Sequence, residues 1–367
     1  MFEATSAVPE PISTPASGQL ALVKLRPGVG NVEIAEVPEP ECRPGCVKIE
    51  VAFSGICGTD IHVYHDRFRN FPPVILGHEF SGTVVEVGCD VATLACGDRV
   101  TVLGSTAVVC GKCEFCRAGY YMFCSIRRGM GHGVDGAFTR FVTVRDDQAY
   151  RLPANVSLEE GALAEPFASA VQGIEELTDF HPGDTVLVSG PGPIGLLCLS
   201  LLVAHNCRVI VAGTDVDELR LALAMKLGAD LTVNVDTEDL PGIVEHETGG
   251  RGVDAVIECA GVQDSIVNAL TVVRQRGRYV QMGIVGEDVS VPFDTILYKN
   301  LRVFGSLGHS LQSWDHVLRI FGQGKIDLKP IITHIMPLSK WQKAFDLCVT
   351  KQCGKVLLHY DIDFIRR

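Results

Sequence analysis

The sequence predicts an α/β chain in which a β-rich domain is interrupted by a doubly wound parallel sheet. Three features carry that expectation. Between Gly18 and about Phe141, short alternating runs are broken by Gly and Pro. After Pro182-Gly183-Asp184, apolar strands and helices take turns. From Leu311 the tail returns to strands bounded by Gly and Pro. A length of 367 residues exceeds what one core ordinarily serves, and 47% hydrophobic residues suffice to fill two.

Taken in order, residues 1–17 are rich in Pro, Ser, Thr and Ala and read as a flexible lead-in. They show neither a basic segment followed by an apolar core nor an Arg-rich amphipathic pattern, so a cytoplasmic protein is expected. Residues 47–51 and 82–87 alternate as half-buried strands do. Strands are then expected at 185–189, 208–212, 255–258, 279–282 and 301–304, with helices at 194–204, 218–227 and 266–274 between them. Strands alternating with helices in this way build a parallel sheet covered on both faces. The tail opens with a helical stretch, 314–321, and continues as strands, including 355–358, that are expected to pack back on the β-rich domain. The domain limits are therefore placed at 18–170 together with 310–367, and at 171–309 for the insertion.

A formal charge of −12 with no cluster of Lys and Arg argues against nucleic acid or an anionic membrane surface as partner. The longest apolar run, 194–204, is well short of the roughly 20 residues that cross a bilayer, so no membrane segment is expected. Fourteen cysteines in a chain without a secretion signal point to metal or free thiols rather than a disulfide framework. Those scattered singly are expected to be small buried hydrophobes.

Gly190-Pro191-Gly192-Pro193-Ile194-Gly195 follows an apolar strand and opens an apolar helix, the context a dinucleotide fingerprint needs. The first Gly permits the tight turn, the second lets backbone approach a pyrophosphate, and the third packs helix on strand, with free N–H groups at the helix start facing the phosphates. At the end of the next strand, Gly213 stands at the usual acidic position by register. By distance to the following helix and to Arg220, Asp215 corresponds instead and is expected to bind the ribose. No basic residue between Gly213 and Asp217 awaits a 2′-phosphate, which favours NAD while leaving NADP possible.

Cys110, Cys113, Cys116 and Cys124 place four thiols in a short lobe, 104–128. Four thiolates close a tetrahedron around zinc, and a closed shell has a structural role. A second constellation comprises Cys57, His78 and Glu79, with Glu165 much later. Its mixed sulfur, nitrogen and oxygen donors would leave an open position for water or an alcohol. Two zinc ions per chain are expected.

With these motifs in this order, Gly55-Ile56-Cys57-Gly58-Thr59-Asp60, Gly77-His78-Glu79-Phe80 and Gly97-Asp98-Arg99-Val100 among them, the sequence resembles the zinc-containing medium-chain alcohol dehydrogenase superfamily from Gly18 to His359. Cys57-Gly58-Thr59-Asp60-Ile61-His62, Ala164-Glu165-Pro166 and the tail Pro330-Ile331-Ile332-Thr333-His334 are similar to its sorbitol and L-threonine dehydrogenase branch. The resemblance implies a GroES-like catalytic domain with an inserted Rossmann domain, and a homo-oligomer, dimer or tetramer. It implies catalytic zinc on Cys57, His78 and Glu79, with Glu165 binding directly or through water where ethanol enzymes carry a second cysteine. It also makes Thr59 and His62 members of a proton relay, and Asp60 the carboxylate that orients the ligand histidine. The reaction implied is oxidation of a secondary hydroxyl of a polyol or similar small alcohol, with zinc as Lewis acid and a nicotinamide as hydride acceptor. L-threonine 3-dehydrogenase shares all these residues and is the alternative. Non-catalytic binding or lens-type members of the fold usually lack the zinc ligands, which this sequence keeps. His65, His132 and His309 receive no role.

Overall fold

A computed structural model describes residues 18–361; the lead-in assigned to 1–17 and the end of the tail, 362–367, lie outside the described residues. The nucleotide part is a six-stranded sheet whose first strand in sequence, Thr185–Ser189, lies in its middle. Arg208–Gly213 and Leu231–Asn234 follow on one side, and Val253–Glu258, Val273–Gln281 and Arg302–Gly305 on the other, every pairing parallel. The strand order therefore reverses beside Thr185–Ser189, and such a switch point opens a crevice at the carboxyl ends of the strands. Burial explains the order. Val186, Leu187 and Val188 are fully buried between helix layers, whereas the edge strand Arg302–Gly305 stays largely exposed.

The β-rich part holds a seven-stranded sheet and a smaller sheet of Gly18–Lys24, Val32–Pro38 and Val74–Ile75. The tail joins the larger sheet: Lys355–His359 pairs antiparallel with Cys46–Gly55, Leu357 opposite Gly55. On its other edge Cys46–Gly55 pairs with Glu79–Val87, Gly55 opposite Glu79. Gly55 thus sits between Glu79 and the tail strand. A Cβ there would lie 2.5 Å from Glu79 Oε2 and 2.8 Å from Lys355 Cε, so the absent side chain makes room for both.

Several elements differ from the sequence expectation. The helix expected at 266–274 runs over Gln263–Val272, and the chain turns extended at Val273 to begin the strand Val273–Gln281, where β-branched Val273 pairs beside Val253. The strand Leu231–Asn234 and the helices Leu240–Thr248 and Trp341–Val349 were not anticipated. Cys198, Cys207 and Cys353 are buried as expected, but Cys89 and Cys96 are exposed. Among the described residues no helix is long and apolar enough to cross a membrane.

Candidate active site and nucleotide cleft

Cys57 caps the short helix Gly58–Tyr64, and the Asp60 carboxylate reaches back to accept from the Cys57 amide at 2.9 Å. Its other oxygen accepts from the Gly77 amide at 3.2 Å and faces His78 Nδ1 at 3.6 Å. One buried carboxylate therefore fixes the start of the helix, the turn at Gly77 and the neighbourhood of His78. Gly77 itself has φ +89, and a Cβ there would strike the Phe138 ring at 2.5 Å, so only glycine lets the chain deliver His78 and Glu79 in this way.

One ligand atom each from Cys57, His78 and Glu79 lies within 4.8 Å of the others, close enough to share one ion. Although burial pushes the His78 imidazole down, the charges of Asp60 and Cys57 raise it well above its ordinary value. Its buried Nδ1 has no hydrogen-bond partner. Glu79 is raised by burial against the pull of Lys355, whose ammonium contacts its carboxylate; both side chains are almost wholly buried. A negative, partly unsatisfied pocket of S, N and O donors fits a zinc ion.

Glu165, the second residue of the helix Ala164–Val171, turns into the same cavity of about 220 Å³. Its Oε1 accepts from His309 Nε2 at 3.1 Å, and His309 Nδ1 accepts from the Tyr121 hydroxyl at 2.8 Å. Burial works to raise the Glu165 carboxyl, but the His309 hydrogen bond, helped by the charges of His78 and Lys355, holds it down at about 2. Thr59 also lines the cavity; His62 is exposed on the same short helix and does not. Ile194, Met282 and Ser306 of the nucleotide part close the far wall, so the cavity lies where the two parts meet.

The four thiols of Cys110, Cys113, Cys116 and Cys124 gather within 4.8 Å of one another and are free. Backbone N–H groups point at the sulfurs: Cys113 N to Cys110 Sγ at 3.2 Å, Cys116 N to Cys113 Sγ at 3.4 Å, and Cys110 N to Cys124 Sγ at 3.4 Å. The amides of Lys112 and Cys113 hold the Cys110 thiol down at about 6. Amides arranged to stabilise thiolates fit a closed zinc site.

The crevice at the switch point, about 550 Å³, is lined by Gly190, Gly192, Gly213, Thr214, Asp217 and Arg220 among others. The three glycines divide their work. Gly190 turns at φ +98, Gly192 has open space where a Cβ would stand, and a Cβ on Gly195 would collide with the Gly190 carbonyl at 2.1 Å. Pro193 opens the helix Pro193–Ala204, whose N-terminus faces the crevice. Asp215 is exposed, accepts from Asn234 Nδ2 at 2.6 Å and does not line the crevice. The carboxylates that do line it are Asp217, Asp236 and Asp264. Asp217 accepts from Thr214 Oγ1 at 2.8 Å and pairs with Lys351 at 3.2 Å and Arg220 at 3.5 Å. A larger depression of about 750 Å³, lined by Pro241, Arg251, Arg274 and Lys299, lies around the opposite ends of the parallel strands, away from this chemistry.

His309, Tyr121 and Lys355 are site residues without a signal in the sequence, because each acts through a partner distant in the chain, whereas Asp217 also has local partners in Thr214 and Arg220.

A parallel sheet with a dinucleotide crevice, a mixed-donor metal cluster at its mouth and a four-thiol lobe together define a metal-dependent, nicotinamide-dependent dehydrogenase. Residues 43–154 match the model of the alcohol dehydrogenase GroES-like domain, and residues 193–323 that of the zinc-binding dehydrogenases. The sorbitol dehydrogenase of Halalkalibacterium halodurans is 37% identical, over 92% of this chain and 98% of that protein. The D-arabitol-phosphate dehydrogenase of Enterococcus avium is 36% identical, over 91% and 96%. A Sinorhizobium meliloti protein assigned as a zinc-binding dehydrogenase and solved with NADP superposes with a TM-score of 0.85 at 32% identity, covering 94% of this chain and 99% of that one. The chain belongs to the zinc-containing medium-chain alcohol dehydrogenase family, in its sorbitol- and threonine-dehydrogenase-like branch. It is an NAD(P)-dependent alcohol dehydrogenase.

Proposed function

We propose that this enzyme oxidises a secondary hydroxyl of a polyol or similarly polar small alcohol, with NAD as the preferred acceptor and two zinc ions per chain. The observation that carries the substrate half is Glu165: a carboxylate, not a thiolate, faces the metal cluster and is held there by His309. When bound, zinc supplies Lewis acidity toward the hydroxyl and the nicotinamide accepts the hydride. Cys57, His78 and Glu79 hold the metal, with Asp60 setting the orientation of His78 and Lys355 balancing Glu79. Thr59 receives the hydroxyl proton and His62 passes it to solvent. Glu165 accepts from a second hydroxyl next to the reacting carbon, a contact that ethanol leaves unmade.

NAD over NADP is supported by the crevice charges. Arg220 and Lys351 are both engaged by Asp217, and Asp236 adds a further carboxylate. The division at 18–170 with 310–367 and at 171–309 assigns the metal to one domain and the fingerprint to the other. A homo-oligomer is supported by the exposed edge strand Arg302–Gly305 beside exposed Phe293, Leu297 and Tyr298.

The test is a substrate panel of polyols, hydroxy amino acids and simple alcohols with NAD and NADP, repeated with Glu165→Gln. Turnover should favour a substrate with adjacent hydroxyls over ethanol and fall at least tenfold in the variant at unchanged cofactor affinity. Faster turnover of ethanol than of any polar alcohol would refute the substrate half.

A further inference from the structure

Arg127 lines the catalytic cavity, and among the described lining residues it is the sole arginine or lysine. Its Nε donates to the Ser105 carbonyl at 3.0 Å, which anchors the guanidinium and turns its outer edge toward the cavity. No carboxylate of the described residues lies within ion-pair distance, although the chain carries 44 acidic residues and the buried arginines Arg220 and Arg278 are both paired. A partly desolvated guanidinium beside a reaction site without an internal counter-ion is a charge that awaits one from outside.

The space next to it is shaped to receive that counter-ion. Gly129 is buried, and a Cβ built on it would stand 2.9 Å from His132 Nε2 and 3.6 Å from Arg127 Nη2. The two nitrogens therefore flank one empty position, kept open because residue 129 has no side chain. His132 also lines the cavity, and its ring is held edge-on against Phe68 with centroids 5.1 Å apart. Burial, together with the nearby His78 and Arg127 charges, lowers the His132 imidazole to about 4 despite its hydrogen bond to the Arg69 backbone, so at neutral pH it is an uncharged ring that adds no charge to compete with Arg127.

We infer that Arg127, His132 and the gap over Gly129 form a subsite for an oxyanion carried by the substrate, so that the alcohol oxidised bears a carboxylate or phosphate group besides its reacting hydroxyl. Guanidinium binds either group through paired N–H donors, and the His132 ring walls the gap on the opposite side. This deepens the proposed function and rests on it: the metal end of the cavity selects the hydroxyl, and the Arg127 end selects the charge.

The test uses zinc-replete enzyme and matched pairs that differ only in charge: a pentitol against its terminal phosphate, a 3-hydroxy acid against the corresponding secondary alcohol, and threonine against its reduced amino diol. In the wild type, at least one anionic member should exceed its neutral counterpart about tenfold or more in kcat/KM. The phosphate and carboxylate arms decide which group is used. Arg127→Gln should collapse that ratio to near one by raising KM for the anionic member, Arg127→Lys should retain part of it, and Gly129→Ala should lower it by filling the gap with the charge intact. A ratio that Arg127→Gln leaves unchanged, or neutral members preferred throughout, overturns the subsite while the dehydrogenase reading stands. If no alcohol of any kind is oxidised, the proposed function fails instead, and calorimetric titration of the cofactor-loaded enzyme with inorganic phosphate and with butyrate still decides the subsite. Binding of one of them in the wild type and its loss in Arg127→Gln supports it. Absence of binding, or equal binding in both proteins, overturns it.

Discussion

Two glycines three residues apart in the fingerprint, Gly192 and Gly195, should respond to the same substitution in opposite ways. In Gly195→Ala the new Cβ would lie 2.1 Å from the Gly190 carbonyl oxygen and 3.2 Å from its carbon, where real contacts essentially never fall under 3.0 Å. The obstacle is backbone on a tight turn, so no side chain can move aside. The helix Pro193–Ala204 has to retreat by about 1 Å from a fully buried strand, an overpacking that costs about 1–3 kcal/mol. For a cooperative unit of 367 residues each kcal/mol lowers the melting temperature by about 1–2 °C. Gly192→Ala meets nothing within 4 Å, and Gly192 has φ −66 and ψ 177, open to any residue. Its folding cost is therefore limited to the loss of a better helix cap, about 1 kcal/mol or less. The methyl group nevertheless projects into the crevice where a pyrophosphate must approach the backbone, and losing one or two N–H contacts to phosphate weakens binding about 10- to 100-fold. Urea or thermal denaturation measures the first effect, and fluorescence titration with reduced cofactor the second. If Gly192→Ala binds cofactor like the wild type, or loses as much stability as Gly195→Ala, the division of labour among these glycines is wrong.

Metal analysis of purified enzyme should find two zinc ions per chain; Cys113→Ser should lose one together with stability, and Cys57→Ser should lose turnover while still binding cofactor. A single zinc in fully active enzyme would exclude the four-thiol site. His309→Leu leaves the Tyr121 hydroxyl and the Glu165 carboxylate without their partner, so it should cost about 2–4 kcal/mol of stability and at least tenfold in turnover, with His309→Gln recovering part of both. Equal kinetics in His309→Leu and wild type would show that Glu165 needs no positioning. Asp254 accepts from the Thr185 amide at 2.9 Å and from Arg274 Nε at 2.7 Å; burial works to raise its carboxyl, but these bonds hold it below the ordinary 3.8. With a folded value below the unfolded one, its stabilisation is present above pH ~4 and fades as pH falls through the folded value. The gap in urea midpoint between the wild type and Asp254→Asn should therefore be constant from neutral pH down to about 5 and narrow below 4; a gap that widens in acid contradicts the assignment.

Much of the fold is readable in the sequence because its signals are local. The fingerprint needs six consecutive residues, and the thiol lobe fifteen. Asp60 was readable for the same reason, lying three residues from the Cys57 amide it caps. Lys355 was not, since it meets Glu79 only after two strand pairings bring distant parts of the chain together. His309 likewise gains its role from Glu165, far away in the chain. The helix Leu240–Thr248 hides behind Pro241 and Gly242 in its first turn and buries only Leu240 and Val244. By contrast, Trp341, Ala344 and Phe345 recur at helical spacing, and that signal was legible but passed over in a tail read as strands. Asp215, placed by its distance to Arg220, stands next to Thr214 of the crevice lining; its carboxylate accepts from Asn234 and its amide donates to Asp236, which lines the crevice with Asp217.

The pairing of Lys355–His359 with Cys46–Gly55 also orders events on the ribosome. The nucleotide domain is one continuous stretch and can fold as soon as residues through Gly305 have emerged. The domain begun first is completed last: until the final strand is made, its central sheet has an open edge, and Glu79 has no lysine to balance it. A nascent chain therefore carries the glycine turn and parallel sheet of the cofactor crevice before it carries a finished metal pocket, and Lys351, the partner of Asp217 at the crevice, arrives with the tail. Truncation a dozen residues before His359 removes the ammonium that makes the pocket's buried charge tolerable.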